Sequence, residues 1–426
     1  MDLDNWVDLA GSAPLNGIVE LTRRFVNPDK VDVFAAAGLA PVMTAREGPY
    51  FWDGAGRRIF DAHSNGGTYN LGHRHPELVA SLRDALSVLD IGNHHFLSGL
   101  RVRLAQELVE LCPGDMQYSV LTATAADAIE VAIKSARRAT GRRLVVSAVD
   151  SYHGSTLGSM AAGDTRNAEY FHSQASRDDV LQVPFGDAGA LADLLAQRPV
   201  AAVLLETIPA TAGFPLPPEG YLRTVRELCS QHGALLVLDE VQVGLGRTGS
   251  MWAVDFEQVA PDVLVTGKGL GGGLYPVAAA VMTAHAGGWL RDNGWGHGST
   301  AGGSELGCVV ALKVLEIMQR PETLNNVHRS AEQLREGLAK LQAEYPLLVD
   351  VRQRGLVLAL GLNHEAGGRL MTAHGFAHGL WAMFAAYDPR YLQLKPGLLL
   401  TEAQTQELLA LLAATLESVS KELARC

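Results

Sequence analysis

Residues 233–273 have the sequence GALLVLDEVQVGLGRTGSMWAVDFEQVAPDVLVTGKGLGGG. Two short apolar segments within it, 235–238 and 263–265, are bounded by glycine and acidic residues, a pattern typical of strands buried in a parallel sheet. Asp239 follows the first segment directly, and Lys268 comes three residues after the second. Ligands of open α/β sheets bind beyond the carboxyl ends of such strands, so the pattern predicts that both side chains face a binding site.

A lysine and a carboxylate at neighbouring strand ends suit one cofactor in particular, pyridoxal 5'-phosphate. A lysine holds this cofactor as a Schiff base, and its pyridinium nitrogen needs an acidic partner. Lys268 would have to be partly desolvated, so that its amine is neutral during proton transfer. The same two residues also fit a second hypothesis, a buried ion pair between Asp239 and Lys268 with a purely structural role.

The whole region resembles the signature of class-III, fold-type I, pyridoxal-phosphate-dependent aminotransferases. The resemblance depends on several motifs in a fixed order rather than on one glycine pair. These motifs are DEVQVGLGRTG at 239–249, PD at 261–262 and GKGLGGGLYP at 267–276, and further matches extend from about Glu47 to beyond Pro396.

The resemblance implies an α/β fold, with a large domain built on a mostly parallel central sheet flanked by helices and a smaller α+β C-terminal domain. It divides the chain into an N-terminal segment at 1–60 that packs with the small domain, a large cofactor-binding domain at 61–318, and the small domain at 319–426. A chain of 426 residues is long enough for one large and one smaller domain.

Local patterns predict further elements along the chain. Pro218 is expected to open a helix that runs to His232. The alternating segment 349–362 is expected to form one strand. Residues 155–185 are polar and mixed, which predicts a mobile excursion over the site.

Composition and charge exclude several classes of protein. The formal net charge is −11, which argues against a surface that binds nucleic acid or anionic membranes. No apolar run is long enough to span a membrane, and the first residues lack the features of a secretory leader. The cysteines lack metal-type spacing, so no metal site is expected, and a cytoplasmic location is expected for a chain of scattered thiols: Cys112, Cys229, Cys308 and Cys426.

A phosphate-binding site is predicted where a strand ending near Leu121 enters a helix at about Ala125. Thr122 or Thr124 can cap this helix, whose first backbone N–H groups and dipole favour an anion. In the resembling family this position has the pattern S-G-x-E-A, which binds the cofactor phosphate, so the resemblance assigns Thr124, Ala125 and Ala126 to that role. The chain departs from the pattern, because it has no glycine and has Asp127 in place of glutamate.

The resemblance assigns five more residues to the cofactor. Tyr152 would stack on the pyridine ring, Gln242 would reach the ring hydroxyl, and His153 would lie beside the ring or only support its loop. Glu206 would lie on the substrate side, or it would only stabilise a strand end. Thr300 would donate to the phosphate bound by a partner subunit, which implies a homodimer with a shared active site.

The function implied is transfer of an amino group from an amino acid or amine to a keto acid, aldehyde or ketone by a ping-pong cycle. Lys268 would hold the cofactor and move protons, while Asp239 keeps the ring protonated. A lyase, racemase or aminomutase of the same fold would use the same two residues and is the alternative. A noncatalytic relative that only binds the cofactor or a partner is a further alternative.

Two observations bear on the substrate. Arg352 matches a family arginine and could bind a carboxylate through two hydrogen bonds, although a solvated charge at a strand edge fits equally well. Many family members carry an arginine two residues before a Pro-Pro pair, but the run here is QLKPG at 393–397. The absence of this arginine argues against an acetylornithine-like substrate.

Overall fold

The computed structural model describes residues 15–37, 39, 42–173 and 179–425, and it is a mixed α/β protein. The expectation of an α/β fold with a mostly parallel central sheet is confirmed. The described strands, in chain order, are β1 (Met43–Glu47), β2 (Tyr50–Asp53), β3 (Arg58–Asp61), β4 (Met116–Thr122), β5 (Leu144–Ala148), β6 (Val180–Val183), β7 (Val200–Glu206), β8 (Leu235–Asp239), β9 (Val263–Thr266), β10 (Ala278–Thr283), β11 (Leu348–Arg354), β12 (Val357–Leu362), β13 (Leu380–Trp381), β14 (Met383–Phe384) and β15 (Tyr391–Leu394).

α-Helices lie near both ends of the described part of the chain and on the faces of the central sheet. Short 3₁₀ turns at Ala253–Glu257, Lys268–Gly271 and Gly288–Arg291 complete the set in the described residues. The α-helices are α1 (Leu15–Phe25), α2 (Pro28–Ala36), α3 (Ser64–Gly67), α4 (Pro76–Ala85), α5 (Gly99–Leu111), α6 (Ala125–Thr140), α7 (Leu157–Ala162), α8 (Thr165–Tyr170), α9 (Ala188–Gln197), α10 (Tyr221–His232), α11 (Glu305–Met318), α12 (Pro321–Glu344), α13 (Gly367–Ala377) and α14 (Glu402–Leu423).

A seven-stranded sheet in the order β4-β10-β9-β8-β7-β5-β6 forms the centre of the molecule. The pairs from β9 to β6 are parallel, and only β10 runs antiparallel to its two neighbours. Every residue of β5, β7, β8 and β9 is buried. Strands covered on both faces are continuous runs of apolar residues, which is why these segments show no alternation.

The helix that follows β4 illustrates how the sheet is covered. Helix α6 buries one apolar face that includes Ile129, Ala132 and Ala136, and it ends at the left-handed Gly141. The thiols of Cys112, Cys229 and Cys308 are buried in a separate apolar cluster that does not include this face of α6. The fourth cysteine, Cys426, lies outside the described residues. No helix in the described part of the chain is long and apolar enough to cross a membrane.

Two smaller sheets surround the centre. One has the order β1-β2-β3-β13, so a strand from the C-terminal part of the chain extends an N-terminal hairpin sheet. The other has the order β11-β12-β15-β14, and α12, α13 and α14 pack beside it. The division of the chain at residues 60 and 318 stays a prediction.

Two local expectations from sequence are wrong, and the mobility expected of 155–185 stays a prediction although the region contains regular elements. The segment 349–362 is not one strand, because Gly355 adopts a left-handed φ of 58° and turns it into the β11–β12 hairpin. The helix expected from Pro218 begins at Tyr221, after Gly220 with a φ of 76°. The region 155–185 contains α7, α8 and β6, with residues 174–178 outside the described part, and Glu130 accepts hydrogen bonds from the first turn of α7.

We predict that Gly355→Ala destabilises the protein by about 2–4 kcal/mol. A Cβ at this position would lie 2.5 Å from the carbonyl carbon of Thr248 and 2.6 Å from the carbonyl oxygen of Arg247, so a clash adds to the backbone strain. Gly141→Ala is the matched control, because Gly141 has a φ of 68° and nothing within 4 Å of its Cβ position. It should lose only about 1 kcal/mol. Urea unfolding measures both, and equal losses would contradict the clash.

Candidate active site

A cavity of about 440 Å³ opens beyond the carboxyl ends of β5, β7, β8 and β9. This volume is within the range of small-molecule sites, and the position is where open α/β sheets bind ligands. Every residue predicted from sequence to hold the cofactor lines it except Thr300, and the other lining residues are Gly154, Ser155, Thr156 and Val241.

Asp239 is buried at the end of β8 and is held on both carboxylate oxygens. One oxygen, Oδ2, lies 2.9 Å from Nδ1 of His153, and the other accepts a hydrogen bond of 3.0 Å from the backbone N–H of Val241. Nε2 of His153 is buried and has no hydrogen-bond partner among the described residues. His153 therefore fixes the orientation of Asp239, as an imidazole commonly does for a functional carboxylate.

Lys268 follows β9 with a positive φ of 43°, which is rare for a residue other than glycine, asparagine or aspartate. Gly267 before it packs tightly, since a Cβ there would lie 3.1 Å from the Cβ atoms of Ala125 and Ala278. Burial lowers the pKa of the Lys268 amine, while the carboxylates of Asp239 and Glu206 oppose the shift. A lysine with a lowered pKa has more neutral amine available as a nucleophile and base.

The start of helix α6 provides an anion site beside this lysine. Thr124 is the N-cap, and its hydroxyl accepts a hydrogen bond of 3.2 Å from the N–H of Asp127. No described residue accepts a hydrogen bond from the N–H groups of Ala125 and Ala126, which line the cavity. Free N–H groups at a helix N-terminus favour a phosphate, so this donor set fits a phosphorylated cofactor.

The missing glycine in this segment has no effect on the backbone here. Neither Ala125 nor Ala126 has a positive φ, so neither position requires glycine for its conformation. The tight contact in this region is instead between Ala126 and the facing loop. Gly154 in that loop has a φ of 129°, and a Cβ on it would lie 2.6 Å from the Cβ of Ala126. The glycine that this contact requires is therefore supplied by another segment.

Glu206, at the end of β7, joins two loops of the site. Its carboxylate accepts hydrogen bonds from the backbone N–H groups of Tyr152, at 2.9 Å, and Ala210, at 3.1 Å. Burial raises the pKa of Glu206 to about 7. Tyr152 itself is 36% exposed, and its hydroxyl lies 3.1 Å from the hydroxyl of Ser155. Its ring is therefore accessible to a ligand in the cavity.

Two of the predicted residues differ in their placement. Gln242 lines the cavity, with its Oε1 3.7 Å from the position a Cβ would take on Gly66. Thr300 is exposed and does not line the cavity of its own chain. Its segment lies against helix α6, where the ring of His297 is 3.7 Å from the carboxylate of Asp127.

Arg352, the arginine that could have bound a carboxylate, is already engaged. It contacts the carboxylate of Asp350 at 2.9 Å, the carbonyl of Gly213 at 2.8 Å and the hydroxyl of Tyr391. The guanidinium is thus neutralised by a neighbour in its own strand.

Sequence reasoning missed three basic residues near Lys268. Arg247 and Lys395 are both 1% exposed, and the pKa of His63 is lowered by burial and by the charges of Lys395, Lys268 and Arg247. Arg247 and Lys395 were visible in the GRTG and QLKPG motifs. The available signal was a basic residue beside a glycine or proline with no acidic residue next to it. Nothing in the sequence shows that the segments of Arg247 and Lys395 meet in the fold.

Glu240, next to Asp239 in the chain, supports the site from behind. Its carboxylate accepts hydrogen bonds from the hydroxyl of Thr207 at 2.6 Å and from the N–H groups of Ala253 and Val254 at 2.8 Å. Burial raises the pKa of Glu240 to about 7. This residue ties β7, β8 and the 3₁₀ turn Ala253–Glu257 together without facing the cavity.

Comparison with known proteins gives consistent matches over nearly the whole chain. The family model described as aminotransferase class-III matches residues 35–416. An uncharacterized aminotransferase of Archaeoglobus fulgidus is 44% identical over 404 residues, which is 95% of each chain.

Solved structures match with the same fold. The ornithine aminotransferase of Toxoplasma gondii superposes with a TM-score of 0.88 over 99% of both chains at 24% identity. The taurine:2-oxoglutarate aminotransferase of Bifidobacterium kashiwanohense, solved with pyridoxal phosphate and glutamate, superposes with a TM-score of 0.85 at 26% identity and covers 96% of this chain and 99% of its own.

We predict that Glu240→Ala destabilises the protein by about 2–5 kcal/mol, because three buried donors lose their acceptor. Glu240→Gln should lose less, since its amide keeps one oxygen as acceptor. Glu402→Ala, on the exposed first turn of α14, is the control and should change stability by at most about 0.5 kcal/mol. Thermal and urea unfolding measure all three. A Glu240→Ala variant as stable as the control would contradict the supporting role.

Proposed function

The chain belongs to the class-III aminotransferases, and from that premise we propose how its own residues carry out the pyridoxal-phosphate-dependent transfer of an amino group. Bound pyridoxal phosphate withdraws electrons from the carbon that carries the amino group, so the proton on that carbon can be removed. The partners are small amine and carbonyl compounds, and the two half-reactions follow each other in a ping-pong cycle.

Lys268 carries the central role. Its amine would hold the cofactor covalently, and with a substrate amine in the site the same nitrogen would accept the proton of the reacting carbon as general base and return it as general acid. The lowered pKa of Lys268 supports this role, because the amine must be neutral to accept a proton. Glu206 and Asp239 lie close enough to interact with it electrostatically.

Asp239 and the start of α6 hold the two ends of the cofactor. Asp239, oriented by His153, keeps the ring nitrogen protonated, and Gln242 serves the ring hydroxyl. The N–H groups of Ala125 and Ala126, with the hydroxyl of Thr124, hold the phosphate. Tyr152 packs on the ring face, which suits an electron-poor ring against an aromatic one.

The observation that carries the proposal is the arrangement of Lys268, Asp239 and the free N–H groups of α6 around one cavity. A structural ion pair between Asp239 and Lys268 would need no such anion site, and Asp239 already has His153 as its contact at 2.9 Å. The lysine is therefore left available for chemistry.

The protein acts as a homodimer in this proposal, with Thr300 serving the phosphate of the partner subunit. Thr300 is exposed in the single chain, and exposed apolar side chains occur on the segments near it. Phe96 and Trp295 are each 71% exposed, and Leu97 is fully exposed. A monomer rarely exposes such a group of large apolar residues, which supports a dimer in which a second copy of the chain covers them. A cytoplasmic location stays a prediction.

We predict that the purified protein with pyridoxal phosphate shows a visible absorption band that one amino acid or amine donor bleaches in the absence of a carbonyl acceptor. A carbonyl acceptor should restore it. Lys268→Ala should lose turnover by about 10⁴-fold or more, because it removes the group that moves the proton. Lys340→Ala, an exposed lysine on α12, is the control and should keep full activity.

Two results would contradict this assignment. Retained turnover in Lys268→Ala would exclude the central role of the lysine. A band that persists while the substrate is eliminated or isomerised would favour the lyase or mutase alternative.

We predict that Thr300→Val weakens cofactor binding about tenfold, the effect of losing one hydrogen bond to a phosphate. A hybrid dimer of Thr300→Val with Lys268→Ala tests whether the site is shared. In a shared site, the only intact lysine meets the intact threonine of the other chain, so that site binds the cofactor as tightly as the wild type. If the hybrid site is as weak as Thr300→Val alone, or if the protein sediments as a monomer, the shared site is wrong.

A further inference from the structure

Two buried basic side chains lie near the candidate active site, behind the residues that line its cavity, and no described carboxylate lies within ion-pair distance of either. Lys395 and Arg247 are each 1% exposed. Neither forms an ion pair with any residue of the ranges 15–37, 39, 42–173 and 179–425. Buried charges are normally paired, because removal from water is strongly unfavourable.

The contacts of Lys395 are few for an ammonium group with three donors. Its Nζ donates to the side-chain carbonyl of Gln393 and lies 5.2 Å from the centre of the Phe214 ring. Gln393 in turn donates to the carbonyl of Ala210 at 2.7 Å, and the N–H of Ala210 donates to Glu206. A short chain of hydrogen bonds therefore connects Lys395 to a residue that lines the cavity.

Arg247 is held from one side only. Its Nη1 donates to the carbonyl of Pro396 at 2.8 Å, while its Nη2 is buried with no hydrogen-bond partner in the described part of the chain. Burial lowers the pKa of Arg247 to about 10. The guanidinium therefore keeps its charge at neutral pH and has an unused donor.

These charges act on each other and on the catalytic lysine. Burial, followed by the charges of Lys268 and Arg247, lowers the pKa of Lys395 well below its usual value, and the carboxylates of Asp61 and Glu206 only partly oppose the shift. The same three cations, after burial, lower the pKa of His63. Like charges repel each other in a buried region, so an anion entering it would be bound with favourable energy.

Two neighbouring glycines with positive φ lie next to the catalytic lysine and Arg247. Gly66 faces Lys268, whose Cε is 3.4 Å from the Cβ position, and Gly67 faces Arg247, whose Nε is 3.4 Å away. The absence of side chains on Gly66 and Gly67 lets Lys268 and Arg247 approach one loop from two sides.

We propose that Lys395, with Arg247 behind it, binds a carboxylate group of the substrate and makes this enzyme selective for amino acids over plain amines. The proposal rests on the transaminase function above and names its substrate class. A substrate carboxylate would supply the direct ion-pair contact that no described side chain makes with Lys395 or Arg247, and Gln393 would release the ammonium to it. Arg352 cannot take this role, because Asp350 already occupies its guanidinium.

The test compares matched donors in the first half-reaction, followed by the bleaching of the cofactor band. Each pair contains an amino acid and the amine that lacks its carboxylate, such as alanine with ethylamine and 4-aminobutyrate with propylamine. The variant is Lys395→Met, which removes the charge and keeps much of the volume. Lys340→Met makes the same chemical change at an exposed position of α12 and is the control.

Wild type should convert the amino acid of at least one pair much faster than the matched amine. Lys395→Met should lower the apparent second-order rate constant for that amino acid about 100-fold, mainly through weaker binding, and change the rate for the amine less than threefold. The melting temperature of Lys395→Met should equal or exceed that of the wild type, since an apolar side chain replaces an unpaired buried charge. Lys340→Met should match the wild type in both respects.

Three outcomes would overturn the proposal. An equal loss for both members of a pair would mean that Lys395 acts on Lys268 or on the fold. Unchanged selectivity in Lys395→Met would mean that the carboxylate binds elsewhere, and a wild type that prefers the plain amines would mean that no carboxylate is recognised. If the wild type binds pyridoxal phosphate but no donor bleaches the band, the transaminase function itself fails, which is a separate result.

Discussion

The parallel pairing of β7, β8 and β9 is the constraint on which the rest of the site depends. Glu206 is the register partner of Asp239, and Asp239 pairs with Val265, three residues before Lys268. The three functional side chains therefore leave the sheet at one edge. Two carboxylates on adjacent strands repel each other, and the charge of Asp239 contributes to the raised pKa of Glu206. Lys268 interacts favourably with both carboxylates, and His153 opposes the raised pKa of Glu206.

Charge in this region is divided between two ends. At one end, the carboxylates of Glu206 and Asp239 lie where β7 and β8 end and would stabilise a protonated ring nitrogen. The end near α3 carries Lys395 and Arg247, where a substrate anion would be stabilised. Burial lowers the pKa of Lys268, and the carboxylates of Asp239 and Glu206 at the first end oppose the shift.

The sequence predicted the fold class and the strands that carry Asp239 and Lys268, because buried parallel strands are continuous apolar runs with few alternatives. It also predicted the start of α6, since Thr124 has the chemistry of an N-cap. It could not predict that the segment 349–362 is interrupted by a turn, because β11 alternates apolar with polar residues, β12 continues with apolar ones, and Gly355 is only one residue between them. Residues 155–185 looked like a mobile loop because the acceptor that orders α7, Glu130, is distant in sequence.

The basic residues of the site were hidden for a related reason. Arg247 and Lys395 belong to segments far apart in the chain, and only the folded structure shows that Arg247 donates to the carbonyl of Pro396. The carbonyl of Arg247 also accepts the N–H of Leu356 at 2.8 Å, at the β11–β12 turn. One residue thus joins the central loop after β8 to two parts of the C-terminal region. Under the carboxylate-binding proposal, an anion at the guanidinium would therefore contact a side chain that is fixed to both parts.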